Sequence, residues 1–178
     1  MTDSYYPPSG FYFTVAVVGS GSALAALTDI DSSFLEVSGI EARFETEAVQ
    51  EGGENRFVHQ LPKNAKYANL VLRRGIVAID SFLGEWVGQS VGSGLALPIL
   101  PQNLLVTLLD ANKLPLVAWG FVNAYPVRVQ VAPLNSMDDK VLIESLELSY
   151  NYFDRINLGG AASIAVKLAQ FVARMTGR

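Results

Sequence analysis

The run Ile40-Glu-Ala-Arg-Phe-Glu-Thr-Glu-Ala-Val49 alternates Ile40, Ala42, Phe44, Thr46 and Ala48 with Glu41, Arg43, Glu45, Glu47 and Val49. A period of two belongs to an extended chain, whose successive side chains point to opposite faces. The run therefore reads as a strand with one face for a core and the other for water or a polar partner. Phe11 to Val18, rich in aromatic and β-branched residues, reads the same way. So do Phe34 to Val37, Phe57 to Leu61, Leu70 to Arg74, Leu104 to Asp110, Leu116 to Ala124, Val127 to Val131 and Val141 to Tyr152. Their links carry Gly, Asn, Asp and Pro, as in Gln50 to Asn55 and Asp110 to Lys113. Many strands and few helices predict a mainly β protein built as an antiparallel barrel or sandwich.

Helical spacing occurs twice. Ile79, Phe82, Leu83, Trp86, Val87 and Val91 predict one flanking helix over about 79–91, with Asp80 or Ser81 capping its first turn. Gly84 and Gly88 weaken it by about 1 kcal/mol each relative to Ala, so packing against the sheet must supply its stability. A second stripe of Ile164, Leu168, Phe171, Val172 and Met175, with Lys167, Gln170 and Arg174 opposite, predicts a helix over about 161–175. The Gly159-Gly160 break before it divides a β domain, 1–153, from a helical extension, 154–178, docked onto it. The helix has three readings, a packed extension, a contact to a partner protein or an amphipathic membrane-surface segment; Lys167 and Arg174, with Arg178 beyond, are too thin a basic face for anionic lipid, and the packed extension is the favoured reading.

At 178 residues, half of them hydrophobic and 17% charged, the chain suits one compact domain. The absence of cysteine excludes thiol catalysis, thiolate metal sites and disulfides, and leaves the compartment open. Thirteen basic against seventeen acidic residues give a net charge of −4, so no specific nucleic-acid binding is expected. The uncharged stretches Ser4 to Thr28 and Trp86 to Leu109 are interrupted by Pro7 and Pro8, and by Gly92, Gly94, Pro98 and Pro101, so no membrane anchor is expected. The N-terminus carries Asp3 in place of the basic residues of a secretory signal.

Chemistry has few footholds. Val15-Ala-Val-Val-Gly19-Ser-Gly21-Ser-Ala-Leu24 looks like the glycine turn of a dinucleotide-binding unit, but Leu24 or Ala25 stands where the third glycine belongs. No alternation of strands and helices follows, so a flexible loop is favoured and no cofactor is expected. His59 is the sole histidine, which excludes a histidine-based metal cluster, and no nucleophile accompanies it. The pairs Glu45/Glu47 and Asp138/Asp139 read as solvated faces, because two carboxylates fall short of the oxygen ligands a calcium ion takes. The segment Glu45 to Pro62, ETEAVQEGGENRFVHQLP, crowds Glu51, Glu54 and Arg56 around two glycines and predicts a charged hairpin or protruding loop.

Taken with FYFTV (Phe11 to Val15), FLEVSGIEARFETE (Phe34 to Glu47), NLVLRRG (Asn69 to Gly75), VNAYPVRV (Val122 to Val129) and LIESLELSYNYF (Leu142 to Phe153), that segment resembles the inner tail-tube proteins of contractile-tailed phages and phage-tail-like contractile injection systems of the antifeeding-prophage type. Order and spacing agree from about Tyr5 to Phe153. The resemblance implies a β-barrel related to the type VI secretion tube, forming six-membered rings that stack into a hollow tube for cargo. It implies no reaction. Expected partners are further copies of the chain, a sheath protein, baseplate or spike and tube-terminator proteins, and cargo. Assembly is expected in the cytoplasm, in a phage tail or phage-tail-like particle that can be released from the cell. A tube-initiator ring at the baseplate is the alternative, and a nucleotide-binding enzyme resting on Gly19 and Gly21 ranks lower.

Ala68 and Tyr125 stand where the family more usually has Pro and Trp, and the tail from Asp154 to Arg178 goes beyond many members. Flexible glycines, dense charge and the family loop together predict that Glu47, Glu51, Gly52, Gly53, Glu54, Asn55 and Arg56 project along the tube axis to touch the next ring. Lys63, Lys66, Arg73 and Arg74 are the expected opposite charges. The polar face of Ile40 to Val49 is a candidate lining of the bore, with the outer wall as its alternative.

Overall fold

The computed structural model describes residues 12–18, 30–31, 34–53, 56–76, 82–94, 96–134, 141–158 and 164–176. Among these, the chain runs through β1 (Tyr12–Val18), β2 (Ile30–Asp31), β3 (Phe34–Ser38), β4 (Ala42–Val49), β5 (His59–Tyr67), β6 (Leu70–Gly75), α1 (Phe82–Gly92), β7 (Gln102–Leu109), β8 (Pro115–Val131), β9 (Ile143–Ser149), β10 (Tyr152–Asn157) and α2 (Ile164–Thr176). The predicted class holds: paired antiparallel strands dominate, with one helix flanking the core and one near the C-terminus.

The body is one path of strands, β2-β1-β7-β8-β9-β6-β3, with β10 also on β8, while β4 and β5 form a separate two-stranded sheet. β8 is the spine. Its first part pairs with β7 and β10, and from Tyr125 onward it pairs with β9. Between the two parts Asn123 takes a φ of 54°, and a register shift follows between Pro126 and Arg128. The chain thereby divides into a first sheet (β2, β1, β7, β8, β10) and a second sheet (β8, β9, β6, β3) that face each other across the core.

The register shows what each residue faces. In the first sheet Val17, Leu104, Phe121 and Phe153 lie in one row pointing to the core. In the second, Val37, Leu72, Leu146 and Val129 do the same. Leu70, Leu72, Leu104, Phe121, Leu146 and Leu148 are fully buried between the sheets, each worth about 1.5–3 kcal/mol of transfer from water. α1 closes this core with Leu83, Trp86 and Val87. The Trp86 indole N–H donates to the Leu100 carbonyl at 2.9 Å and the Ser90 hydroxyl to the Trp86 carbonyl at 2.7 Å, so the polar atoms that accompany the packing are satisfied. The described helix spans Phe82–Gly92; Ile79, Asp80 and Ser81 lie outside the described residues.

α2 packs on the opposite face of the first sheet. The row Ala16, Leu105, Gly120, Asp154 runs beneath it, and Phe171, Val172 and Met175 are buried there with Ala118, Val122 and Leu158. Gly120 is the seat: a Cβ at that position would run into Met175 Sδ and stand 2.7 Å from the Phe171 ring. Arg174 lies over the Phe171 ring at 5.5 Å and contacts Asp154 at 3.4 Å.

Three differences from the sequence reading have physical causes. β5 runs through Pro62 and on to Tyr67, and β8 runs through Pro126, because each proline sits at or beside a register shift in a stretch paired on one side only. Val141 to Tyr152 is not one strand. The chain bends at Tyr150 and Asn151, where the Asn151 N–H donates to the Val122 carbonyl at 3.0 Å, so that β9 and β10 follow the bent β8 through both sheets. β10 continues to Asn157, past Phe153 where the extension was expected to begin. The Leu158 N–H then donates to the Leu116 carbonyl at 2.7 Å.

Candidate functional site

The expected contact segment sits on the β4–β5 hairpin, and that hairpin leaves the body. Every residue of β4 is exposed, as is most of β5. Eight residues at about 3.3 Å each make an arm of roughly 25 Å. Its apolar side, expected to meet a core, carries Phe44 at 67% exposure, with Ala42, Thr46 and Ala48 along the same edge. That expectation is corrected: among the described residues of the hairpin and its flanks, only Ile40 and Tyr67 at the root pack against the core. An isolated two-stranded hairpin is marginal in water, and among the described residues this arm has a face without a second layer.

The root is held firmly. Gly39 takes a φ of 84° and lies so close to the Asn69 carbonyl that a side chain there would collide with it. The Tyr150 hydroxyl donates to the Gly39 carbonyl at 3.5 Å, and the Ala68 N–H donates to the Glu41 carbonyl at 3.3 Å. Tyr67, Tyr150, Phe153 and Phe121 form a ring cluster with centroids 4.9–6.3 Å apart, many of the contacts edge-to-face. Burial, followed by the nearby Tyr67 and Glu41, pushes the Tyr150 phenol up to about 12.

Charges along the arm pair within it. Lys66 contacts Glu45 at 2.6 Å and Lys63 contacts Glu47 at 3.1 Å, both half-exposed. Glu51 and His59 meet across the tip at 3.4 Å, with the Phe57 ring edge-on to the imidazole. Gly52 and Gly53 lie at the tip, Gly53 at a φ of 96°, and Arg56 is exposed beside them. Glu54 and Asn55 lie outside the described residues. The expected opposite charges are placed in two groups: Lys63 and Lys66 on the arm, Arg73 and Arg74 in the body. Arg73 contacts Glu36 at 2.9 Å. Arg74 turns inward, 7% exposed, contacts Glu144 at 3.0 Å and lies over the Phe34 ring at 5.8 Å. All four cations thus have partners inside the chain.

A second surface was not singled out from the sequence. The outward face of the second sheet forms an open trough of about 570 Å³. Two registered rows line it: Ser38, Val71, Glu147 and Arg128, then Glu36, Arg73, Ser145 and Gln130. Each row holds one acid and one base, and Arg128 stands directly opposite Glu147. The alternation along Leu70 to Arg74 and Ile143 to Ser149 carries this signal, but only the pairing register brings the charges side by side.

Among the described residues no cluster of acidic or histidine side chains is arranged to hold a metal. No helix of the described residues is long and apolar enough to cross a membrane. Gly19, Gly21 and the Asp138/Asp139 pair lie outside the described residues.

Comparison with known proteins agrees with this architecture. A chain of the anti-feeding prophage baseplate superposes with a TM-score of 0.69 at 24% identity, over 87% of this chain and 99% of that one. A chain of the PVC extracellular contractile injection system, in its extended sheath-tube complex, gives 0.71 at 17% identity over 86% and 94%. A type six secretion system protein gives 0.50 at 11% identity over 82% of each chain, so the expected relation to that fold holds. No curated protein matches in sequence. The family model for the T4-like virus tail tube protein gp19 matches residues 9–154, which takes in the body, the arm and its root. Its members are structural tube proteins and not enzymes. With most of its length matched, the chain belongs to the T4-like virus tail tube protein family.

Proposed function

We propose that the chain is the repeating subunit of the inner tube of a contractile injection system or phage tail, assembling as six-membered rings that stack around a lumen. The observation that carries this is the arm: a projecting hairpin whose apolar side carries Phe44 at 67% exposure, with no cover among the described residues. A strand pair with free edges and a bare face needs a neighbour, and a closed ring supplies one for every copy. Rise between rings then extends the contact into a cylinder. Glu47, Glu51 and Arg56, with Gly52 and Gly53 allowing the tip to turn, meet the next ring, and Lys63 and Lys66 on the arm exchange partners with it. Such exposed pairs contribute about 0–1 kcal/mol each, so they set register while apolar contact holds the rings.

The bore belongs to the trough of the second sheet and not to the arm. A water-filled channel calls for an open polar face, and of the two body sheets the first has its outward face covered by α2. Balanced rows of Glu36, Arg73, Glu147 and Arg128 keep passing cargo from adhering by charge. A sheath, baseplate and terminator complete the partners; for the first two, support comes from fold neighbours in a sheath-tube complex and a baseplate. The likeness to a baseplate chain favours one second reading, an initiator ring.

Electron micrographs of purified wild type and Phe44→Ser test the proposal. Wild type forms cylinders, whereas Phe44→Ser keeps its melting behaviour within about 0.5 kcal/mol, as exposed substitutions do, and forms none. Cylinders from both proteins contradict the role of the arm, and wild type stopping at single rings selects the initiator.

A further inference from the structure

We infer that α2 is the outermost layer of the tube wall, a helical jacket laid over a body that the family pattern already completes without it. The inference rests on the tube reading above and extends it to the outer surface. The family match ends at residue 154 and α2 begins at Ile164. α2 nonetheless docks as part of the subunit, with Phe171, Val172 and Met175 buried over Ala118, Gly120 and Val122.

The direction of α2 follows from the register. Trp119 and Phe121 point from β8 into the core, while Ala118, Gly120 and Val122 point the other way, to α2. Leu72 and Leu146 point into the same core from the second sheet, while Arg73, Ser145 and Glu147 point into the trough. Trough and α2 therefore lie on opposite sides of the subunit with both sheets between them. Whichever direction the trough takes in a ring, α2 takes the reverse. A bore-lining trough puts α2 at the largest radius.

The chemistry of the helix suits that position. Val166, Ala169, Gln170, Ala173 and Arg174 are exposed on its far side, and Arg174 is tied to Asp154. No acidic residue occurs in Ile164–Thr176. Anything surrounding the tube therefore meets a weakly basic helix in place of a β-sheet. A helix has a diameter of about 10 Å, so a jacket widens the cylinder by roughly 20 Å.

The absence of native cysteine makes the test direct. Single-cysteine variants Gln170→Cys and Gln130→Cys are reacted with a bulky PEG-maleimide, first as free subunits and then in cylinders verified by microscopy. Both residues are exposed in the subunit, so both label when free. In cylinders, Gln170→Cys is expected to label as fast as before, and Gln130→Cys to lose its labelling. Gold coupled to Gln170→Cys is expected at the outer rim of the radial density profile. Cylinders in which Gln170→Cys is protected, or its gold lies inside the rim, overturn the inference alone. Preparations in which no ring or cylinder forms overturn the tube reading, and the inference with it.

Discussion

Tyr150 shows how one side chain fastens the arm to the body. It is 8% exposed, packs edge-on to Phe121 at 4.9 Å, and its hydroxyl donates a hydrogen bond to the Gly39 carbonyl. Burial holds the phenol neutral to about pH 12 in the fold, whereas the unfolded chain releases the proton near 10.0. Stability from this group is complete below pH 10 and drains away as pH rises toward 12, because the unfolded state alone gains by ionising there. Tyr150→Phe removes that dependence: denaturation midpoints measured between pH 10 and 12 fall less steeply than in wild type. Parallel curves would show that the phenol is not held neutral. Arg74 is the second such residue. Loss of one partner of a fully buried pair costs about 3–5 kcal/mol and replacing both with apolar groups far less; with Glu144 20% exposed, the loss here falls below that range. In urea denaturation Arg74→Met should therefore lose most stability, and Arg74→Met with Glu144→Leu should recover most of it. Neither role was legible beforehand, since Arg74 reads as the exposed end of a basic strand until the register sets it against Glu144 and Phe34.

At the scale of elements, alternation in Ile40 to Val49 identified β4 and its two faces. Periodicity says that a face is to be covered and does not say by what. Phe44 is therefore apolar in pattern and bare in the subunit. Prolines misled in the opposite direction: Pro62 and Pro126 look like strand ends, yet each strand continues through a stretch with one paired side. The stripe of α2 announced docking but not the place. Its seat is marked by Gly120 alone, a residue indistinguishable in sequence from any glycine interrupting a strand. Gly120→Val puts a branched side chain where Met175 and the Phe171 ring already sit, and overpacking of that kind costs about 1–3 kcal/mol. Hydrogen exchange should show faster opening of α2 amides in that variant, with the second sheet unchanged. Unchanged α2 protection would contradict the packing described.

For the whole molecule, the sequence carried the family pattern from Tyr5 to Phe153, and the matched region, 9–154, nearly coincides with it. It did not carry the division of labour among surfaces. Lys63, Lys66, Arg73 and Arg74 are paired inside the chain, and the balanced trough arises only when four strands align in register. On the proposed function, the exposed arm, the polar trough and the helix-covered back are the three surfaces that a tube subunit brings to its neighbours, its bore and its outer wall. Sedimentation velocity of the purified chain over rising concentration tests this most directly. A tube subunit gives a ring-sized species that yields to ever larger particles, and a single 19.2 kDa monomer at every concentration, even beside sheath and baseplate proteins, would contradict that role.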